Sequence, residues 1–288
     1  MIDAEKTLND LVEWVKKWFN TYGKTSKAVI GISGGKDSTI AAGILVRALG
    51  KDRVIGVLMP NGTQADINDS FTVCNALDIP HMVVNINSAF EDLLGQLMLG
   101  ISFSEGAADT YRKNKFGDTK EIYKDYSFDC KKFDDVKINM APRLRMTTLY
   151  AVAQSVGGMV VNTCNRSEDY VGYSTKFGDS AGDFSLFANL TVQEVLQIGD
   201  LMTELPRELI HKTPSDGLCG KTDEDNLGFT YEALDKYILT GECDDEKIKE
   251  IIDKKNVQNI HKLKSMPSFN PAYGPDYIDY FSQKRMKF

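Results

Sequence analysis

Apolar residues along the chain occur either as short unbroken runs or at helical spacing, and the two patterns alternate. Across residues 4–21, Leu8, Leu11, Val12, Val15, Trp18 and Phe19 form one apolar face on an otherwise charged segment. This predicts a helix packed on a sheet. Residues 28–32 form a short apolar run between turn residues, which predicts a strand. Residues 38–49 then place Ile40, Ala41, Ile44, Leu45, Ala48 and Leu49 on one helical face. The alternation continues with a strand at 54–59, a helix at 66–77, a strand at 82–86 and a helix at 89–99. Strands separated by helices cannot pair as tight hairpins, so the expected class is α/β, a doubly wound parallel sheet with helices on both faces.

Between residues 100 and 136 neither period persists, and the segment is rich in Lys, Asp, Tyr and Gly. It reads as an irregular insertion. Beyond it the pattern predicts a helix at 140–155, a strand at 159–163, and helices at 191–205, 231–239, 245–254 and 257–264. The polar, glycine-rich stretch 165–183 reads as a loop serving a ligand or an interface, and the aromatic tail 267–288 has no defined element. With no repeat, low-complexity tract or linker, residues 1–288 are expected to form a single domain.

Composition narrows the function classes. The 288 residues are 42% hydrophobic and 26% charged, as in ordinary globular proteins and unlike disordered or fibrous chains. A net charge of −7 argues against binding a nucleic-acid backbone, so no nucleic acid partner is expected. No apolar run approaches the ~20 residues a bilayer crossing needs, so no membrane partner is expected either. The N-terminus lacks the pattern of a secretory signal. Cys74, Cys130, Cys164, Cys219 and Cys243 are scattered without a C-x-x-C pair, which excludes the usual zinc, iron–sulfur and redox-dithiol patterns. They read as free thiols, and a cytoplasmic location is expected. His81, His211 and His261 form no metal-binding or catalytic spacing, and His81 after Pro80 reads as the start of a strand.

The sharpest signal is Gly31-Ile32-Ser33-Gly34-Gly35-Lys36-Asp37-Ser38, where the first sheet strand gives way to a helix. Unpaired N–H groups at a helix start attract anions, and glycines let a phosphate approach without a Cβ in the way. Ser33 and Ser38 add hydroxyls and Lys36 adds a positive charge. The spacing is not that of G-x-x-x-x-G-K-[ST], because Asp37 follows the lysine. An acid in a phosphate cradle repels its ligand unless a divalent cation lies between them, so Asp37 implies Mg²⁺. This strand, loop and helix resemble the signature of the ATP pyrophosphatases, which cleave ATP between its α and β phosphates to adenylate an oxygen. The loop alone does not choose among NAD, GMP, asparagine and argininosuccinate synthetases or the tRNA-modifying ligases.

The second half adds further segments. Arg143 and Arg145 lie two apart near a helix start and point to different sides, one suited to a ligand anion and the other to a carboxylate of the fold. Thr163-Cys164-Asn165-Arg166-Ser167-Glu168 follows a buried strand, where ligands of parallel sheets bind. Glu168 there is either a second metal ligand or a solvated loop acid. The segment from Gly172 to Asp183 carries Tyr173, Lys176, Phe177, Asp179 and Asp183, a set suited to rings, ribose hydroxyls and phosphates. Ser215, Thr222-Asp223-Glu224 and His261-Lys262, taken singly, read as surface residues.

In this order the segments resemble the ammonia-dependent NAD synthetase family, over about residues 5 to 265. The resemblance implies ATP-dependent amidation of deamido-NAD with ammonia, giving NAD, AMP and pyrophosphate through an acyl-adenylate. It implies that Gly31, Ile32, Ser33, Gly34, Gly35, Lys36, Asp37 and Ser38 bind ATP with Thr163 and Ser215. Asp37 and Glu168 would hold Mg²⁺, and Arg143, Lys176, Asp183, His261 and Lys262 would contact deamido-NAD. A homodimer is implied, and free ammonia or an ammonia-supplying partner is expected. A glutamine-hydrolysing domain is not expected in 288 residues whose signature starts at residue 31. Three features depart from the family pattern: Val192 stands where an ATP-binding lysine belongs, Pro214-Ser215-Asp216-Gly217-Leu218 displaces an acid by one residue, and the insertion is longer. Lys36 and Lys212 are the candidates to supply the missing charge. A weakened nucleotide-binding homologue, or a pyrophosphatase acting on another carboxylate or on tRNA, are the alternatives.

Overall fold

The computed structural model describes residues 2–104, 133–212 and 222–264, and the strand pair 268–269 with 278–279. Helix α1 (Ala4–Tyr22) starts where the Asp3 carboxylate accepts the Lys6 N–H at 3.0 Å. It buries Leu8, Val15 and Phe19, as its apolar spacing requires. Strand β1 (Lys27–Gly31), helix α2 (Lys36–Leu49), strand β2 (Val54–Leu58), helix α3 (Ile67–Ala76) and strand β3 (His81–Val83) follow in sequence. Helix α4 (Asn87–Ser104) and helix α5 (Phe133–Val156) precede strand β4 (Gly158–Asn162), helix α6 (Arg166–Val171) and strand β5 (Phe184–Ser185). Helices α7 (Val192–Asp200), α8 (Arg207–Ile210), α9 (Asp223–Leu227), α10 (Tyr231–Thr240) and α11 (Glu246–Asn259) complete the main body. Strands β6 (Ser268–Phe269) and β7 (Ile278–Asp279) form a separate antiparallel pair.

The main sheet is all parallel, in the order β3-β2-β1-β4-β5. Ala28, Val29 and Ile30 of central β1 are wholly buried because both faces are covered. Ala28 and Ile30 face a core shared with α1, α2, α3 and α7, while Val29 faces one shared with α4 and α5. After β3 the chain crosses to the other face and returns as β4 beside β1. Strand order therefore reverses between β1 and β4, and a crevice opens at their C-terminal ends.

Some predicted elements are corrected. Helix α4 runs on to Ser104 and helix α5 begins at Phe133, so residues 100–104 and 133–136 of the expected insertion are helical, and residues 105–132 lie outside the described set. Helix α7 ends at Asp200 rather than 205, and Met202 and Leu205 are buried in the turns that follow. The two late helices expected at 245–254 and 257–264 are one helix, α11, followed by a 3₁₀ turn. The sequence has no breaker there, and Asn256 and Asn259 donate to the carbonyls of Tyr170 and Val171 at 2.7 and 3.2 Å. Polar side chains dock this helix, so its apolar periodicity fades. Helix α6 lies within the stretch 165–183 that reads as loop, and strand β5 directly follows that stretch; each is too short to leave a periodic pattern.

Candidate active site

The loop from Gly31 to Ser38 closes on itself. Ser33 Oγ accepts the Gly35 N–H at 3.2 Å and lies 3.1 Å from Ser38 Oγ, which accepts the Ser33 N–H at 3.3 Å. Ser38 and Thr39 hydroxyls donate to the Gly35 carbonyl at 3.1 and 2.8 Å. These bonds fold the chain back over the first turn of α2. Gly35 is the N-cap and supplies no side chain to the helix N–H groups, and a helix start of this kind attracts anions. Gly34 has φ +78°, a conformation that L side chains rarely adopt.

Charges gather beside the cradle. Lys36 is 6% exposed, and its Nζ lies 2.9 Å from Asp37 Oδ2. Burial opposes the Lys36 charge, but Asp37, Glu168 and Asp223 together outweigh it, and its pKa is raised. Glu168 is pushed up to about 8, first by burial and then by the charge of Asp37. Asp223, which reads from sequence as a surface residue, is buried at the start of α9, within reach of the Tyr173 and Tyr231 hydroxyls at 3.4 Å each. Burial, followed by the charges of Glu168, Asp223 and Asp37, pushes the Tyr231 phenol up.

Asn165 joins the two sides of the crevice. It is wholly buried, and its Oδ1 accepts the Ser167 and Glu168 N–H groups at 3.0 Å each, capping α6. Its Nδ2 donates to Asp37 Oδ1 at 3.4 Å. Glu168 returns to the Asn165 N–H at 3.2 Å and completes a capping box. Sequence reading missed Asn165, although N-x-x-E after a strand is a signal for that box.

A second group forms around the loop after α6. Arg143 donates to the Lys176 carbonyl at 3.3 Å, and Lys176 reaches the His261 carbonyl at 3.4 Å. Lys262 donates to the carbonyls of Gly172 and Ser174 at 2.8 and 3.1 Å. His261 uses Nδ1 at the Gln258 carbonyl, 2.9 Å away. Arg143, Lys176, His261 and Lys262 are thus brought together. The Asp183 carboxylate accepts the Val160 N–H at 2.6 Å and takes no part in these bonds. Thr163 is half-buried just beyond β4, while Ser215 lies outside the described residues.

The other expectations separate. Arg145 donates to the Met59 carbonyl at 3.1 Å, so it serves the backbone rather than a carboxylate at hydrogen-bond distance. Val192 is 3% exposed in an apolar cluster with Val171, Leu227, Tyr231 and Leu234. Lys212 is held by Asp66 and Asp69, 2.7 Å from each. A cavity of about 440 Å³ opens beside β4 and β5, lined by Asn162, Arg166, Asp169, Ser180 and Phe184 among others, and no cradle residue lines it. Among the described residues no three His, Cys, Asp or Glu side chains gather to hold a metal. Asp37 and Glu168 are hard oxygen donors, and Mg²⁺ needs only one or two carboxylates when phosphates and water complete its shell.

A parallel sheet with an anion cradle and paired carboxylates at its switch point defines a nucleotide-handling α/β protein. The family model for NAD synthase matches residues 7–114 and 99–271. The NH3-dependent NAD+ synthetase of Finegoldia magna is 34% identical over 266 residues, covering 92% of this chain and 95% of that protein. The enzyme of the same name from Methanococcus aeolicus is 38% identical over 223 residues, 76% of each. The chain belongs to the NAD synthase family. Among solved structures, an NMN synthetase from Francisella tularensis superposes with TM-score 0.77 and 30% identity, covering 94% of this chain and 100% of that one. A NAD+ synthetase from Burkholderia pseudomallei gives TM-score 0.67 and 26% identity over 91% of each.

Proposed function

We propose that the protein joins ammonia to the nicotinate carboxylate of deamido-NAD at the expense of ATP, releasing NAD, AMP and pyrophosphate. The observation that carries this reading is the pairing of Asp37 and Glu168 across the crevice, bridged by Asn165, directly beside the phosphate cradle. A carboxylate cannot lose oxide to an incoming amine, so its oxygen first attacks the α phosphorus of ATP. Pyrophosphate leaves, and ammonia then displaces AMP from the acyl-adenylate.

The chain's own part is placement and charge. Gly31 to Ser38 would wrap the phosphates, with the α2 N–H groups facing the oxygens on which charge develops. Thr163 and Ser215 would border the same nucleotide. Asp37 and Glu168 would hold Mg²⁺, which when bound offsets the charge of the departing pyrophosphate. The group of Arg143, Lys176, His261 and Lys262, with Asp183, would take the deamido-NAD. Cytoplasmic location and a homodimer belong to the same reading, and light scattering after size exclusion tests the dimer.

One observation favours a second reading of the acceptor. The solved structure from Francisella tularensis, 30% identical and covering 94% of this chain, is an NMN synthetase, so a mononucleotide carboxylate is the second candidate acceptor. Incubation with ATP, Mg²⁺ and ammonium, and with either deamido-NAD or the mononucleotide, decides between them by kcat/KM. AMP formed in step with amide supports the reaction; ADP as product rejects it.

A further inference from the structure

The lysine inside the cradle stands where local rules disfavour it. Lys36 is the first residue of α2, at the positive end of the helix dipole, and its side chain is 6% exposed. A buried ammonium there needs anions. It has one in hydrogen-bond contact, Asp37 at 2.9 Å, and its Nζ lies 5.6 Å from the centre of the Tyr231 ring. Tyr231 packs in the same apolar cluster as Val192, so that cluster presents an aromatic face to Lys36 in place of a charge. Lys212, the other candidate cation, is already shared between Asp66 and Asp69.

Resting on the magnesium and ATP reading above, we propose that Lys36 is a two-position cation. In the empty protein its ammonium neutralises Asp37 and holds that carboxylate in place. When nucleotide and metal arrive, the ammonium moves from Asp37 to a phosphate oxygen, which frees the carboxylate for the metal. Asp37 and Lys36 are neighbours in sequence, so the exchange needs only rotation about the lysine's own bonds, with no movement of the helix. Each species keeps a counter-charge throughout.

The exchange predicts effects of opposite sign in one variant. Calorimetric titration of Lys36→Met with magnesium alone should show binding about tenfold tighter than wild type, because the competing ammonium is gone. Titration with metal-free ATP should show binding about tenfold weaker, the size of one lost charge-assisted contact. Lys36→Arg should restore the metal-free ATP binding, and Lys36→Gln should repeat the Lys36→Met result if methionine disturbs folding. Weakening of both titrations would reveal a structural role and overturn the proposal, as would no change in either. Asp37→Asn run alongside separates the readings. If it binds magnesium as wild type does, the metal assignment falls and takes the exchange with it. If Asp37→Asn loses the metal while the Lys36 variants behave as wild type, the exchange alone falls.

Discussion

Replacing Gly34 by alanine tests whether the cradle's shape is set by its backbone. Gly34 has φ +78°, and a Cβ added there would lie 2.6 Å from Asp69 Cβ, 3.0 Å from the Ser70 nitrogen and 3.1 Å from the Asp69 carbonyl carbon. The left-handed conformation costs an L residue about 1–2 kcal/mol. Overpacking adds about 1–3 kcal/mol, because the atoms in the way are mostly main chain of α3. Asp69 cannot swing aside freely, since Lys212 holds its carboxylate at 2.7 Å. The expected loss is therefore about 2–5 kcal/mol, together with a raised KM for ATP as the loop shifts. Gly35→Ala is the control in the same loop, because its φ is −85° and the nearest atom to an added Cβ is Ser33 Oγ at 3.4 Å. It should cost no more than about 1 kcal/mol. Urea unfolding followed by fluorescence of Trp14 and Trp18 measures both variants, and initial rates give the KM. Gly34→Ala within about 1 kcal/mol of wild type, with an unchanged KM for ATP, would refute the reasoning.

Asp37→Asn should keep the fold and lose at least about a hundredfold in magnesium-dependent turnover, read as AMP release. Asp235 is 2% exposed and accepts from the Ser167 hydroxyl and, at 2.9 Å, from the Gln193 N–H. Asp235→Ala should therefore cost about 1–3 kcal/mol in urea unfolding, since the buried Ser167 hydroxyl and the half-buried Gln193 N–H lose their acceptor. Thr191 caps α7 in a box with Glu194, so Thr191→Ala should cost about 1 kcal/mol by the same measurement. ATP with magnesium at a hundred times its Kd should stabilise the protein by about 2.7 kcal/mol, and chelating the metal should remove most of that shift in melting temperature.

Local features are legible in the order of the amino acids. The alternation of strands and helices follows from apolar spacing within single elements, and the cradle is contiguous, with strand end, glycines, acid and helix start in eight consecutive residues. Their conformations depend on neighbours along the chain, so Gly31 to Ser38 can be read directly. Asp223 cannot, because in sequence it looks like one acid among several in the first turn of a capped helix, and only packing buries it beside Lys36. Helix α11 reads as two pieces for the same kind of reason, since Asn256 and Asn259 dock it through hydrogen bonds that hydropathy does not register.

Tertiary structure alone decided which ends meet. Setting β4 beside β1 brings Asn165 against Asp37 across 128 positions of sequence, and through Asn165 it brings Glu168 to the cradle. It also assigned the cations, tying Lys212 to Asp66 and Asp69 and leaving Lys36 to face the carboxylates. Periodicity records whether a side chain faces inward or outward, but charge pairing depends on distances of a few ångströms between segments far apart in sequence, and those exist only once the sheet has its strand order.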